Sequence, residues 1–322
     1  MILITGANGF IGSALTATFN QQGRSDLILC DRKSKLNERE NLKQTRYAEL
    51  LDVAELFNAL ETAAWAKKID TVLHIGACAD TTELNKKFLD ENNVRYTKKL
   101  CQWALAQNAR FIYASSAAVY GDGKLGFSDS DPLTPKLKPL NPYGESKWEV
   151  DKWVIEQKLV NKVVGLRFFN VFGPNEYHKG KMASVIYRTF PEAQKTGKVR
   201  LFKSHQKGIA DGEQKRDFIY VKDVIAVIEF FMNHPKANGI FNVGTGKAAT
   251  FNELATHLLQ ALGKKPKIEY FDMPEELRPR YQYFTQADIS RLRAAGYQKP
   301  FQSFEASVTD YVKNYLIPGK TL

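Results

Sequence analysis

Three glycines stand between a short apolar run and a helix-like segment at the start of the chain, in TGANGFIG (residues 5–12). Glycine permits a tight turn and a close approach of the backbone to a ligand, and a helix N-terminus presents unpaired N–H groups and a positive dipole end. The spacing of Gly6, Gly9 and Gly12 is G-x-x-G-x-x-G rather than the commoner G-x-G-x-x-G, so the trio alone also fits an ordinary turn. The strand-like run before it, the helix after it and a second strand-like run ending at Asp31 favour a dinucleotide pyrophosphate site.

Short apolar runs alternate with amphipathic helical patterns through the first half of the chain. Strands are predicted at 2–5, 26–30, 71–75, 111–114 and 163–168, and helices at 11–22, 53–67, 82–107 and 143–158. This alternation predicts βαβ units and therefore an α/β fold with a doubly wound parallel sheet. Right-handed crossovers then place the ligand crevice at the carboxyl ends of the strands.

The alternation breaks after about residue 172, which predicts a smaller second lobe. Residues 217–233 and 240–243 are predicted to return to the first lobe as a strand, a helix and a strand. The prediction is a dinucleotide-binding domain of residues 1–171 plus 216–246 and a nucleotide-sugar-binding lobe of residues 172–215 plus 247–322. A helix at 183–194 and a strand at 199–202 are predicted after the break, and the second lobe is predicted to hold further elements at 251–262, 267–270, 286–295 and 304–315.

Composition narrows the class of protein. The chain has 322 residues, 43% of them apolar, and a formal net charge of +11. The lysines of the chain are dispersed, as is typical of solvent-exposed helix faces, so we expect no nucleic-acid partner. The three cysteines are too few and too dispersed for a disulfide framework or a zinc site, so no metal is expected. No apolar run approaches ~18 residues and no signal peptide is recognisable, so we expect a cytoplasmic protein without a membrane partner.

The residues after the second strand bear on the choice of dinucleotide. Asp31 is placed to bond the adenosine ribose, and Arg32 and Lys33 follow it directly. Positive charge at this point can accommodate a 2′-phosphate, so NADP is favoured, with NAD possible. The alternative is that the two cations simply face solvent.

A second site is predicted where YGESK begins a helix, because Tyr143 and Lys147 lie four residues apart on one face. A tyrosine with its ordinary pKa of about 10 is a poor base at neutral pH. A nearby ammonium and the positive nicotinamide ring would favour the phenolate, which could then take a proton from an alcohol. Ser115 or Ser116, at the end of the preceding strand, could hydrogen-bond the reacting oxygen.

With these motifs the chain resembles the extended short-chain dehydrogenase/reductase family, which includes nucleotide-sugar epimerases and dehydratases. The resemblance covers essentially the full length and implies a Rossmann-type sheet with a smaller α/β C-terminal lobe. It is carried by TGANGFIG, HIGA (74–77), SSAAVYG (115–121), NPYGESK (141–147), LRFFNVFGP (166–174), RDFIYVKDV (216–224) and FNVGTG (241–246).

The resemblance also narrows the reaction. A dehydratase of this family has an acidic pair just after the serines, where this chain has Ala117 and Ala118, so dehydration is disfavoured and epimerisation without net redox change remains. The stretches HKGKMAS (178–184) and RPRYQYFTQADISRLRAAGYQKPF (278–301) look closely similar to the ADP-L-glycero-D-manno-heptose 6-epimerases of Gram-negative bacteria, which supply the inner-core heptose of lipopolysaccharide.

That similarity implies residue roles. Tyr143 and Lys179 would be the two acid/base groups on opposite sides of the heptose C6, with Ser116 assisting and Lys147 holding the cofactor; a phosphate or cofactor contact is the alternative role of Lys179. The implied cofactor contacts are Gly6, Gly9, Phe10, Ile11, Gly12, Asp31, Arg32, Ile75, Gly76, Ala77, Asn92, Lys147, Val171 and Lys179. The implied ADP-heptose contacts are Ser116, Asn170, Lys181, Arg188, Phe202, Lys203, Ser204, Arg216 and Tyr281.

Departures from the family and rival functions stay open at this point. Lys181 stands where the family commonly has a small hydroxyl residue, Arg188 stands where it commonly has histidine, and the 204–215 loop looks longer than usual. A C4 epimerase acting on a UDP- or GDP-sugar through Tyr143 alone is one rival. A non-catalytic dinucleotide sensor or RNA-binding relative is another, but such relatives usually lose the Tyr/Lys pair. The family resemblance further suggests a homo-oligomer.

Overall fold

The computed structural model describes residues 1–35 and 40–322. Its helices and strands alternate in the first half of the chain and shorten in the second. In chain order they are β1 (Ile2–Thr5), α1 (Phe10–Gln21), β2 (Leu27–Cys30), β3 (Glu49–Leu51), α2 (Leu56–Thr62), β4 (Thr71–His74), α3 (Lys86–Leu89), α4 (Tyr96–Ala106), β5 (Arg110–Ser116), α5 (Pro142–Glu156), β6 (Val163–Phe168), β7 (Asn170–Phe172), α6 (Val185–Thr196), β8 (Val199–Phe202), β9 (Lys215–Tyr220), α7 (Val221–Asn233), β10 (Gly239–Val243), β11 (Ala248–Thr250), α8 (Phe251–Ala261), β12 (Ile268–Phe271), α9 (Ser290–Ala294) and α10 (Phe304–Tyr311).

A seven-stranded parallel sheet forms the centre, in the order β10-β6-β5-β4-β1-β2-β3. The predicted doubly wound parallel sheet is therefore confirmed. The strand order reverses between β1 and β4, and in such sheets the ligand crevice opens at the carboxyl ends of the strands on either side of that reversal. The glycine turn after β1 and the segment after β4 flank this point.

The sheet is covered on both faces, and its strands β1 and β2 are apolar at nearly every position. Ile2 and Ile4 of β1 pack into one hydrophobic cluster, while Leu3 between them packs into the other. Successive side chains of a strand point to opposite faces, so a continuous apolar run serves two cores at once. The same division holds in β2, where Leu27 and Leu29 face one side and Ile28 the other.

Two small sheets lie beyond the central one. In one, β9 lies between β7, to which it is parallel, and β11, to which it is antiparallel; in the other, β8 pairs with β12. The strand predicted at 217–221 thus exists as β9 but joins a small sheet, whereas the strand predicted at 240–243 joins the central sheet as β10. Strands β3, β7 and β11, of three residues each, are not among the predicted strands.

Several predicted helices are shorter or interrupted. The helix predicted at 82–107 is α3, a π-helical segment Asp90–Arg95 and α4, because the π turn inserts an extra residue into the helical repeat. The helix predicted at 53–67 contracts to α2 and a 3₁₀ turn at Ala66–Lys68, and the one predicted at 286–295 contracts to α9. Among residues 1–35 and 40–322, no helix is long and apolar enough to cross a membrane.

Candidate active site

The glycine turn after β1 has a geometry that other residues would obstruct. Gly6 has φ +66°, and a Cβ placed on it would lie 2.6 Å from the Cα of Gly76. A Cβ on Gly12 would lie 2.2 Å from the Gly6 carbonyl oxygen. Helix α1 begins after Gly9, which has no side chain to cap it, so the first N–H groups of the helix are left for a ligand. A bare, positively polarised turn of this kind fits the pyrophosphate of a dinucleotide.

A buried chain of hydrogen bonds holds the segment after β4 against this turn. The Thr97 hydroxyl donates to the Asn93 carbonyl (2.6 Å) and accepts from His74 Nε2 (2.8 Å), which places the ring proton on Nε2. His74 Nδ1 then accepts from the Thr5 hydroxyl (2.7 Å), whose oxygen accepts from Gly76 N–H (3.1 Å). Burial, aided by the charge of Lys147, lowers the pKa of His74 to about 3, so the ring is neutral and the chain keeps one direction.

The acidic residue after β2 is fixed by backbone groups. Asp31 is buried, and its two oxygens accept hydrogen bonds from the backbone N–H groups of Asn8 (2.8 Å) and Arg32 (2.8 Å). The two cations expected beside it are separated in the structure. Lys33 forms an ion pair with Glu55 (2.8 Å), while the Arg32 side chain is exposed next to Asp31.

The Tyr/Lys pair lies where helix α5 starts against the end of β5. Asn141 caps the helix by accepting from Gly144 N–H (2.7 Å), which orients its first turn. Lys147 is buried and its ammonium donates to the Ala114 carbonyl (2.9 Å) on β5. The Ser116 hydroxyl lies close enough to the Tyr143 hydroxyl to lower the pKa of that tyrosine, and the Ser116 oxygen accepts from Ala118 N–H (3.1 Å). Tyr143, Lys147 and Ser116 are thus brought together as predicted.

Burial dominates the electrostatics of this pair. It raises the pKa of Tyr143, against the smaller lowering effect of the Ser116 hydrogen bond. It lowers the pKa of Lys147 to about 8, against the raising effect of Asp151. Tyr143 is therefore a phenol at neutral pH in the protein without ligands, and the phenolate expected from the sequence stays a prediction.

The two candidate serines have different partners. Ser115 donates to the buried carboxylate of Asp151 (2.9 Å), which also accepts from Tyr113 (2.9 Å) and from Arg167 Nε (2.8 Å). This carboxylate, one helical turn after Lys147, ties α5 to strands β5 and β6. Ser116 is accordingly the serine at the site and Ser115 is part of the support beneath it.

The asparagine assigned to the cofactor is one position away from the buried one. Asn92 is exposed, and its amide donates to the Phe88 carbonyl (2.8 Å) of its own helix. Asn93 is fully buried: its amide donates to Ser146 Oγ (3.0 Å) and to the Cys78 carbonyl (3.0 Å), and its Oδ1 accepts from Cys78 N–H (2.8 Å). Asn93 therefore holds the segment after β4 to helix α5, and the cofactor contact expected of Asn92 stays a prediction. The apolar pattern of Leu89, Val94 and Leu100 could have indicated the buried neighbour.

Lys179 is carried to the start of helix α1 by the 3₁₀ segment Tyr177–Met182. Its ammonium lies 5.2 Å from the centroid of the Phe10 ring, in the first turn of that helix. Burial lowers the pKa of Lys179, and the charge of Glu176 opposes this. His178, beside it, has its Nδ1 3.3 Å from the amide nitrogen of Asn41, so this side chain anchors the segment to the region after β2.

Strand β7 and strand β9 carry the next candidates. The Asn170 amide donates to the Asp217 carbonyl (3.2 Å) and to Thr285 Oγ1 (3.3 Å), while Val171 is half-buried against the core. Arg216 is buried, with its guanidinium 5.2 Å from the Tyr281 ring centroid and 6.0 Å from that of Phe251.

Arg216 has an unusual charge environment. Among the described residues, its guanidinium makes a hydrogen bond from Nη1 to the Lys215 carbonyl (3.0 Å), and burial lowers its pKa. In the described ranges, 1–35 and 40–322, no carboxylate oxygen lies within 4.0 Å of the Arg216 guanidinium, so this side chain forms no ion pair there. A buried guanidinium without a counter-ion is a site for an anionic ligand.

The remaining candidates lie around β8 and α6. The Phe202 ring packs on Phe271 with centroids 4.9 Å apart, and Lys203 pairs with Asp272 at 3.4 Å. Ser204 N–H donates to Asp211 (2.7 Å), which begins to close the 204–215 loop. Lys181 and Arg188 are both exposed, and Arg188 Nη1 donates to the Lys181 carbonyl (3.1 Å). Lys181 and Arg188, the two residues that depart from the family pattern, are therefore in contact with each other.

Comparison with known proteins places these features in a family context. The NAD dependent epimerase/dehydratase family matches residues 2–244. The ADP-L-glycero-D-manno-heptose-6-epimerase of Nitratidesulfovibrio vulgaris is 46% identical over 98% of this chain and 98% of its own length. The enzyme of the same name from Fusobacterium nucleatum is 44% identical, again over 98% of both chains. The crystal structure of the Helicobacter pylori ADP-L-glycero-D-manno-heptose-6-epimerase superposes with a TM-score of 0.79 at 31% identity, over 97% of this chain and 95% of that one.

Proposed function

Because this chain belongs to the NAD dependent epimerase/dehydratase family, we propose that it inverts C6 of the heptose in ADP-glycero-manno-heptose. The proposed reaction uses NADP and a 6-keto intermediate, and its product serves the inner core of lipopolysaccharide. Two groups carry the proposal. One is Lys179, which lies against the first turn of helix α1, and the other is Tyr143 on helix α5. A C4 epimerase acting through one tyrosine has no use for that second group.

The residues present fit a nicotinamide dinucleotide. The glycine turn would hold its pyrophosphate, Asp31 its adenosine ribose and Lys147 its nicotinamide ribose. When bound, such a cofactor accepts a hydride from a carbon and returns it to the opposite face of the resulting ketone. The chain itself supplies the proton transfers and holds the sugar.

Two proton-transfer groups answer a geometric need. The C6 hydroxyl loses its proton as the ketone forms, and the ketone oxygen regains a proton when the carbon is reduced from its other face. The oxygen points in different directions in the two epimers, and proton transfer requires hydrogen-bond reach of about 2.6–3.2 Å. Tyr143, assisted by Ser116, would serve one epimer and Lys179 the other. The lowered pKa of Lys179 suits a group that exchanges a proton near neutral pH.

The ADP portion would be held by the second lobe, residues 172–215 plus 247–322. Arg216 supports this because a diphosphate would supply the anion that its buried guanidinium lacks within the described chain. Tyr281, packed on that guanidinium, and the 202–204 segment would complete the nucleotide site. Asn170 would contact the sugar from β7, between the two sites.

The proposal is tested by incubating the purified protein, loaded with NADP, with one C6 epimer of ADP-glycero-manno-heptose. The expected result is interconversion to a mixture of the two epimers, measured by NMR of the sugar protons. Pairs of C4 epimers of UDP- and GDP-hexoses serve as the comparison, and these sugars should remain unchanged. Unchanged ADP-heptose would refute the C6 assignment, and turnover of a C4 pair instead would identify the rival epimerase.

The preference for NADP rests on Arg32, since Lys33 is paired with Glu55. In Arg32→Ala the affinity for NADP is expected to fall by roughly 10- to 150-fold, about the 1.5–3 kcal/mol of a hydrogen bond to a charged group, because the 2′-phosphate loses its cation. The affinity for NAD should be nearly unchanged. Binding of both dinucleotides by calorimetry measures the ratio, with Lys33→Ala as the matched control. An unchanged NADP/NAD ratio in Arg32→Ala would contradict the NADP assignment.

A further inference from the structure

The segment that carries Lys179, residues 173–184 and here called the Lys179 loop, is closed by one buried carboxylate. Glu176 Oε2 accepts from Ser184 N–H (2.5 Å), and Oε1 accepts from Ser184 Oγ (2.6 Å) and Gly173 N–H (3.2 Å). Ser184 Oγ itself accepts from Tyr187 N–H (3.2 Å), so its hydrogen is available for Glu176. A single side chain therefore ties the first residue of the loop to the last.

Inside the loop, the backbone of Lys179 is attached to the same residue. Lys179 N–H donates to the Glu176 carbonyl (3.0 Å), and Gly180, with φ +52°, reverses the chain so that Ala183 N–H reaches the Gly180 carbonyl (3.2 Å). The Lys179 side chain leaves this turn toward the Phe10 ring. The position of its ammonium thus depends on a loop closed by Glu176.

The two side chains act on each other without forming a close ion pair. Within the part of the chain that the structure describes, no carboxylate lies within 4.0 Å of the Lys179 ammonium. Charges in a buried setting still interact strongly at longer range, since the effective dielectric constant is far below that of water. Burial lowers the pKa of Lys179, whereas the charge of Glu176 raises it. For Glu176 the effects are opposite: burial raises its pKa, whereas its hydrogen bonds with Ser184 and the charge of Lys179 lower it.

We propose that Glu176 is a positioning residue for Lys179: its carboxylate closes the loop that places the ammonium, and it holds a negative charge within that same loop. The inference rests on the proposed function, because it assigns Glu176 to the second proton-transfer group. Such an arrangement leaves Lys179 free to reach the substrate, whereas a close ion pair would hold it in place. A purely structural glutamate would stabilise the loop without affecting how Lys179 titrates.

The test follows the titration of Lys179 directly and needs no turnover. Lysines are labelled by reductive methylation with ¹³C-formaldehyde, and the Lys179 resonance is the one missing in Lys179→Met. In Glu176→Gln, which keeps the side-chain size and removes the charge, this resonance is expected to titrate at lower pH than in the wild type. The matched control is Glu61→Gln, on the exposed face of α2, which should leave the Lys179 titration unchanged. A wild-type midpoint in Glu176→Gln would overturn the proposal.

Two further measurements separate position from charge. Ser184→Ala removes a donor to Glu176 but keeps the carboxylate, so backbone amides of 177–183 should exchange faster with deuterium while NADP still binds. Wild-type exchange rates in Ser184→Ala would overturn the loop-closing role. This measurement decides the question even if Glu176→Gln fails to fold. In turnover, Glu176→Gln should lower kcat more than it raises KM, and should move to lower pH the limb of the kcat profile that Lys179→Met abolishes. If ADP-heptose is not converted at all, the proposed function fails while the titration still decides the coupling.

Discussion

Tyr143→Phe is expected to lower kcat for C6 epimerisation by about 10³-fold, within the range of roughly 10²–10⁴ that a positioned acid/base group contributes. The substitution removes only the hydroxyl, and the buried ring remains. Affinity for NADP should therefore change little. The measurement is steady-state kcat with ADP-heptose, together with NADP binding by calorimetry.

The matched control for this variant is Tyr297→Phe. Tyr297 is also buried, but its ring packs against Phe230 and Phe301, away from the strand ends. Its hydroxyl has no hydrogen-bond partner among the described residues, so removing it should leave kcat within about twofold. If Tyr143→Phe retained a kcat within tenfold of the wild type, Tyr143 would not be a proton-transfer group in this reaction.

The central sheet was predictable because its signal is local. Each of β1, β2, β4, β5 and β6 coincides with a short run rich in apolar residues, and that pattern needs no partner to be recognised. Strands β3, β7 and β11 could not be predicted in this way, because three residues are too few to show a period and each is a strand only through its pairing. The membership of β9 in a small sheet, rather than the central one, is likewise a property of its neighbours.

The family resemblance is confirmed over nearly the whole chain, but the finer assignments depended on three-dimensional partners. The local pattern alone left Ser115 and Ser116 as alternatives, the family similarity favoured Ser116, and the structure adds that Ser115 is held by the buried Asp151 beneath β5. The pairing of Lys33 with Glu55 is similarly invisible before α2 is placed beside β2. The different surroundings of Asn92 and Asn93 are also not visible in the sequence, because one step along a helix turns the side chain by about 100°.

The role of Glu176 shows what a loop motif conceals. The stretch YHKGKMAS, from residue 177 to residue 184, indicates a basic loop, and its similarity to a family suggests that Lys179 is the useful cation. Neither says how a loop containing a left-handed glycine is held in one conformation. The structure answers with a buried carboxylate just before the stretch, which binds both ends of the loop. Exposed Lys181 lies in the same loop, and its backbone carbonyl accepts a hydrogen bond from Arg188. Nothing in the structure explains the charge of its side chain.

Lys179→Met is expected to lower kcat by about 10²–10⁴-fold while NADP still binds, because methionine keeps an unbranched side chain beside Phe10 but cannot exchange a proton. The more decisive expectation concerns the separate half-reactions. If Tyr143 serves one C6 epimer and Lys179 the other, Lys179→Met should still oxidise one epimer in a single turnover and fail with the other. Tyr143→Phe should show the opposite selectivity. Nicotinamide reduction followed by absorbance, with each pure epimer in turn, measures both variants.

The matched control is Lys195→Met, which removes an exposed ammonium from the last turn of α6 and should oxidise both epimers at the wild-type rate. Two outcomes would contradict the two-group mechanism. Near-normal turnover by Lys179→Met would return Lys179 to the role of a phosphate or cofactor contact, which a fall in NADP affinity would then report. Loss of the same epimer in both variants would mean that Tyr143 and Lys179 act on one side of C6, and a single acid/base group would have to serve both orientations of the oxygen. Crossed selectivity is the result that only two groups on opposite sides of the sugar can produce, because each half-reaction then depends on the one group within hydrogen-bond reach of its oxygen.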